Sequence, residues 1–183
     1  MTSDLERRRA FDDFVREVAD PVRRFLRRRT DADTADDVLS DTMLVCWRRF
    51  DDLPAAGERL PWAYVAARNC LRNAERSARR RSRLTARIVA LDPPASSVPP
   101  ADADAADAVE VHAALAALRH SDAEVLRLWA WEELTAEQIG RVLGVSENAA
   151  AIRLHRAKRR LRDRLERNEG GLGHISSEEG ARR

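Results

Sequence analysis

Leu134–Arg167 reads LTAEQIGRVLGVSENAAAIRLHRAKRRLRDRLER, and the fold follows from how that stretch is punctuated. Thr135 with Gln138 three residues on has the spacing of a capping box and opens a short helix. Ile139, Val142 and Leu143 give that helix its buried face. Gly144 breaks it, Val145 plugs the turn, and the Ser146 hydroxyl caps the next helix. The second helix is expected to turn Ile152, Leu154, Leu161 and Leu165 inward. Arg153, Arg156, Lys158, Arg159, Arg160, Arg162 and Arg164 crowd its remaining surface. A short helix, a glycine turn and a strongly basic second helix form a helix-turn-helix suited to the DNA major groove.

Outward from this motif the chain stays helical. Phe11, Phe14, Val15, Val18, Val22, Phe25 and Leu26 repeat at three- and four-residue steps, with Pro21 expected to kink or split that helix. Asp31–Asp33 caps a second helix whose buried stripe is Val38, Leu39, Thr42, Met43, Cys46 and Phe50. A loop over Asp51–Arg59 follows, and Pro61 suits the first turn of a third helix that runs into an Arg-rich segment. Between Leu91 and Asp107, Pro93, Pro94, Pro99 and Pro100 forbid a helix and little is left to form a core. Val109, Val111, Leu115 and Leu118 start a second helical domain, and Ser121 with Glu124 has another capping-box spacing ahead of Val125, Leu126, Leu128, Trp129 and Trp131.

The expected class is all-α: two small helical domains on a Pro/Ala-rich flexible linker. The boundaries are 5–86, a linker at 87–107, 108–167, and a disordered tail at 168–183.

The 183 residues carry a formal net charge of only +2, which hides a segregation. Acids from Asp12 to Asp52 crowd the first third, whereas Arg68–Arg87 and Arg153–Arg167 are dense in arginine. That division suits one protein contact and two polyanion contacts. Cys46 and Cys70 stand far apart with no metal-ligand spacing, so neither a metal nor a cofactor is expected. With its charged N-terminus no signal peptide is expected, and no apolar run approaches the roughly 20 residues of a membrane span. A cytoplasmic protein without a membrane partner is expected.

In Ala35–Thr42, Trp47-Arg48, Leu60–Asn69, Leu134–Gly144 and Arg153–Lys158 the chain resembles the extracytoplasmic-function sigma factors, the minimal two-domain class of the sigma-70 family. The order and spacing of these segments across a Pro-rich linker carry the resemblance. It implies a first domain like sigma region 2, a second like region 4, and three sets of contacts. Asp37, Ser40, Asp41 and Leu44 would meet the core RNA polymerase, whose clamp coiled-coil and flap are the implied docking sites. Ser40 stands where the family usually has Gln.

Arg68, Asn69, Arg72, Asn73 and Arg76 would read the minus-ten element, where a melted strand needs stacking planes and positive charge. Trp62 and Tyr64 nearby suit the core better than a base platform. Glu147, Asn148, Ala149, Ala151, Arg153, Arg156 and Arg159 would serve the minus-thirty-five element. Arginine can hold guanine with two bonds or anchor a phosphate, and both roles stay open here. The further arginines up to Arg167 suit a phosphate clamp or a solvated surface, and His155 packing or a phosphate contact. The resemblance also implies an anti-sigma partner covering the same faces.

Two other classes fit parts of the pattern. An ordinary helix-turn-helix regulator would use the first domain for sensing or dimerisation, but no long apolar dimer seam is evident. A metal-dependent nuclease could use Asp33, Asp36, Asp37 and Asp41, but no nucleophile or phosphate-cradling loop accompanies them. The expected protein is a non-enzymatic promoter-specificity factor.

Overall fold

The computed structural model describes residues 4–88, 111 and 113–172. All helices among them are α-helices except two short 3-10 turns, and no strand occurs among the described residues. The chain divides into two compact units.

The first unit is three helices packed pairwise: α1 (Asp4–Arg27), α2 (Ala32–Arg48) and α3 (Arg59–Ile88). In α1, acids Asp4 and Glu6 occupy the first turn and Arg24 and Arg27 the last, as the helix dipole favours. Phe14, Val18, Val22, Phe25 and Leu26 are fully buried. The helix passes through Pro21 without splitting. Proline there removes a hydrogen bond to the Glu17 carbonyl, but Glu17 is exposed, so water can satisfy that group.

Asp31 caps α2 as expected, its carboxylate accepting from the Thr34 N–H at 2.9 Å. Ala35, Val38, Leu39, Thr42 and Cys46 form the inward stripe. The Thr42 hydroxyl is satisfied locally, donating to the Val38 carbonyl at 2.7 Å. The rings of Phe11, Trp47 and Phe50 close one end of the unit, with Phe11 edge-on to Trp47 at 5.0 Å and to Phe50 at 5.3 Å. Arg7 covers that end: its guanidinium lies 4.4 Å from the Trp47 ring and donates to the Trp47 carbonyl. The loop before α3 contains 3-10 turns at Phe50–Asp52 and Ala56–Glu58. Pro61 lies in the first turn of α3, where a missing N–H costs no helical bond.

In the second unit, a helical segment at 113–116 precedes α4 (His120–Ala130), α5 (Ala136–Leu143) and α6 (Glu147–Leu172). Leu115, Leu126 and Ala157 form its core cluster, with Leu118, Trp131, Leu154 and Leu161 packed around it. The Ser121–Glu124 capping box does not form. α4 begins at His120 behind Arg119, without a side-chain cap, and Glu124 is buried rather than turned back to the helix start. Val111 is exposed, and Val109 lies outside the described residues.

In α6, Leu154 and Leu161 pack inward as expected and Leu165 is half-buried, but Ile152 does not turn inward. Ala150 and Ala157 are fully buried, whereas Ile152 is 44% exposed. The inward row is therefore Ala150, Leu154, Ala157, Leu161, at alternating four- and three-residue steps. Small residues in that row let the helix backbones approach closely. Helix α3 ends at Ile88 and α6 at Leu172, each inside a stretch assigned to linker or tail. The proline-rich part of the linker, Leu91–Asp107, and the tail beyond Leu172 lie outside the described residues.

Candidate nucleic-acid interface

The helix-turn-helix is built from local bonds. The Thr135 N–H donates to Gln138 Oε1 at 3.1 Å, and the Gln138 N–H donates to Thr135 Oγ1 at 3.3 Å, so the capping box is reciprocal. Gly144 holds φ +71°, the left-handed conformation that ends α5. The Val145 N–H closes the turn on the Gly140 carbonyl at 2.9 Å. Ser146 Oγ then accepts from the Ala149 N–H at 3.2 Å and caps α6. Gly140 is needed for the crossing of the two helices, since a Cβ there would lie 2.8 Å from the Val145 carbonyl oxygen.

With that start fixed, the helical repeat divides the expected contact residues of α6. Glu147, Asn148, Ala151, Arg153, Arg156 and Arg159 are exposed, while Ala149 is half-buried. Ile152 and His155, not chosen as base readers from the sequence, are exposed between Asn148 and Arg159 on the side opposite the Ala150–Leu161 row. The run of alanines hid them: three consecutive small residues give no contrast from which to read the helix phase.

The cations of α6 fall into two groups. Lys158 sits 3.3 Å from the centre of the Trp129 ring. Arg160 donates to Asp122 at 2.5 Å, and Arg164 donates to the Ala117 carbonyl at 2.8 Å. These three hold the helix to its own domain. Arg153, Arg156, Arg159 and Arg162 are exposed and carry the outward charge.

On α3, Asn69, Arg72, Asn73 and Arg76 are exposed and Arg68 half-buried. They form two adjacent rows at four-residue spacing, Arg68-Arg72-Arg76 and Asn69-Asn73. Arg76 links them, donating to Asn73 Oδ1 at 2.6 Å and to the Arg72 carbonyl at 3.2 Å. Trp62 is half-buried against Phe14 with ring centres 5.9 Å apart, and Tyr64 is buried against Phe25 at 4.9 Å, so both serve the core.

On α2, Asp37, Ser40, Asp41 and Leu44 are all exposed and share one face at three- and four-residue steps. Leu44 is 54% exposed. Asp36 beside them is engaged within the domain, 3.5 Å from both Arg23 and Arg27. Among the described residues, Asp37 and Asp41 form no such pair. The Ser40 hydroxyl donates back to the Asp36 carbonyl at 3.0 Å. No group of three or more metal-ligating side chains occurs among the described residues.

Each helical unit thus presents a basic helix, one behind a capped helix-turn-helix and one lined with arginines. Residues 108–161 match the family described as Sigma-70, region 4. The chain is 29% identical over 177 residues to the RNA polymerase sigma-E factor of Streptomyces avermitilis, covering 92% of each chain. Its fold is similar to that of the sigma factor RpoE from Bartonella quintana, solved in complex with the anti-sigma factor NepR. The TM-score is 0.64 at 21% identity, over 86% of this chain and 97% of that one. CnrH, solved with the cytosolic domain of CnrY, gives a TM-score of 0.58 at 22% identity, over 87% and 89% of the two chains. Residues 108–161 thus match a sigma-70 region 4, and the chain as a whole is similar to a sigma factor in sequence and to sigma factors in fold.

Proposed function

We propose that this chain gives core RNA polymerase its promoter choice, without covalent chemistry of its own. The observation that carries the reading is the division of α6. One set of cations is spent on its own domain, and the other, with Asn148 and His155, faces outward beyond a capped turn. That face enters the major groove of the minus-thirty-five element. Arg153, Arg156 and Arg159 hold phosphates or guanine edges.

The α3 rows track the opened minus-ten strand. Guanidinium planes stack on bases, and Asn69 and Asn73 offer amides to their edges. The α2 face docks on the clamp coiled-coil of the polymerase, with Asp37 and Asp41 meeting cations and Leu44 supplying apolar contact. The second domain also meets the flap. Two modest DNA contacts on one chain reinforce each other through effective concentration. The similar fold of RpoE, solved with an anti-sigma factor, supports an anti-sigma partner here too; the exposed α2 and α6 faces are the surfaces it would cover. Such a factor works in the cytoplasm. No described helix is long and apolar enough to cross a membrane.

Permanganate footprinting of promoter DNA tests this reading. Unpaired thymines in the minus-ten region are expected only when chain and core polymerase are both present. Tight, selective binding to closed duplex by the chain alone, with no melting when core is added, would instead identify a helix-turn-helix regulator.

A further inference from the structure

Resting on the reading of α6 as the minus-thirty-five helix, we propose that Ile152 selects a thymine in that element by packing against its 5-methyl group. Ile152 is 44% exposed although α6 has an inward apolar row that could have taken it. It lies in the second turn behind the Ser146 cap, where a recognition helix reaches base edges. Asn148 stands one turn before it and Arg156 one turn after, both exposed. Its neighbours Ala149 and Ala151 are short, so Ile152 is the apolar side chain of this face with the greatest reach.

The chemistry of the groove then limits what it can meet. Adenine, guanine and cytosine present donors and acceptors there, and the thymine methyl is the one apolar group. An aliphatic side chain against any other edge strips water from a polar group and returns no hydrogen bond. Ile152 therefore favours thymine twice, by burying its methyl and by penalising the alternatives.

The test uses the holoenzyme reconstituted from this chain and core polymerase. It first selects its upstream element from a random-sequence duplex pool. The winning duplex is then remade with deoxyuridine in place of each thymidine in turn, which removes only the methyl group. One position is expected to lose affinity by about fourfold, the worth of one buried methyl. Replacing that same pair by a C·G pair should cost about tenfold or more. Ile152→Ala should abolish the uracil effect at that position and Ile152→Val should keep part of it, both with an unchanged unfolding midpoint.

Selective binding with no uracil-sensitive position overturns the inference and leaves the promoter reading intact. A uracil effect that persists unchanged in Ile152→Ala also overturns it, and leaves Ile152 to a protein partner. Failure to select any duplex overturns the promoter reading itself.

Discussion

Arg160 donates to Asp122 at 2.5 Å, tying the middle of α6 to the first turn of α4, while the adjacent Arg159 points to solvent. Neighbouring arginines on one helix thus do different work. Arg160→Ala should cost about 1–2 kcal/mol of stability, because Asp122 is left nearly buried without its partner. Arg159→Ala should leave urea unfolding unchanged but lower promoter affinity. It should also reduce the slope of log affinity against log salt by about 0.9 if it neutralises one phosphate. Equal effects of the two substitutions on unfolding would remove the distinction.

The turn makes a second pair of predictions. Gly140→Ala forces a Cβ to 2.8 Å from the Val145 carbonyl, so the α5–α6 crossing must shift, at about 1–3 kcal/mol. Gly144→Ala meets no atom within 4 Å, and its cost of about 1–2 kcal/mol comes from φ alone. Gly144→Asn should therefore be milder than Gly144→Ala, while no polar residue rescues position 140. Thermal unfolding of the three variants distinguishes steric from conformational loss.

The α2 acids separate in the same way. Asp36 faces Arg23 and Arg27 at 3.5 Å in an exposed setting, so Asp36→Ala should change stability by no more than about 0.5 kcal/mol. Asp37→Lys and Asp41→Lys should keep the fold and weaken capture of core polymerase by about tenfold or more. Titration of labelled core polymerase reads this directly; unchanged capture by both lysine variants removes α2 from the docking surface.

Burial pushes the Cys46 thiol up to about 12, and the nearby Cys70 adds to the rise. The folded chain therefore keeps a proton that the unfolded chain releases near the ordinary value of 9.0. The resulting stability is whole below pH 9.0 and declines as pH rises toward 12. Cys46→Ala should flatten the stability–pH curve relative to the parent across that window. Identical slopes would show that the thiol does not contribute.

What could be read from the sequence was what neighbours in the chain decide. The Thr135–Gln138 box, the Asp31 and Ser146 caps and the Gly144 turn each depend on residues within a few positions, and each forms. Ser121 and Glu124 have the same spacing as Thr135 and Gln138, yet Glu124 is buried in the fold, and tertiary packing overrides the local motif. In α6, Leu154 and Leu161 pack inward as the spacing predicts, and Ile152 alone departs, for a related reason. Isoleucine looks like the better core residue, but close helix approach selects alanine at 150 and 157. The division of cations between structure and surface was also hidden, because it depends on Asp122, Trp129 and the Ala117 carbonyl, all distant in sequence. The α2 and α3 rows, by contrast, follow from helical spacing, and their residues are exposed apart from the half-buried Arg68.

Run-off transcription with core polymerase on a genomic promoter library tests the central claim most directly. The account predicts transcripts from a discrete set of start sites that appear only when this chain is added, and that fade when Arg72 and Arg76, or Arg156 and Arg159, are replaced by alanine. A core polymerase that is active with another sigma factor but starts no transcript with this chain would contradict it.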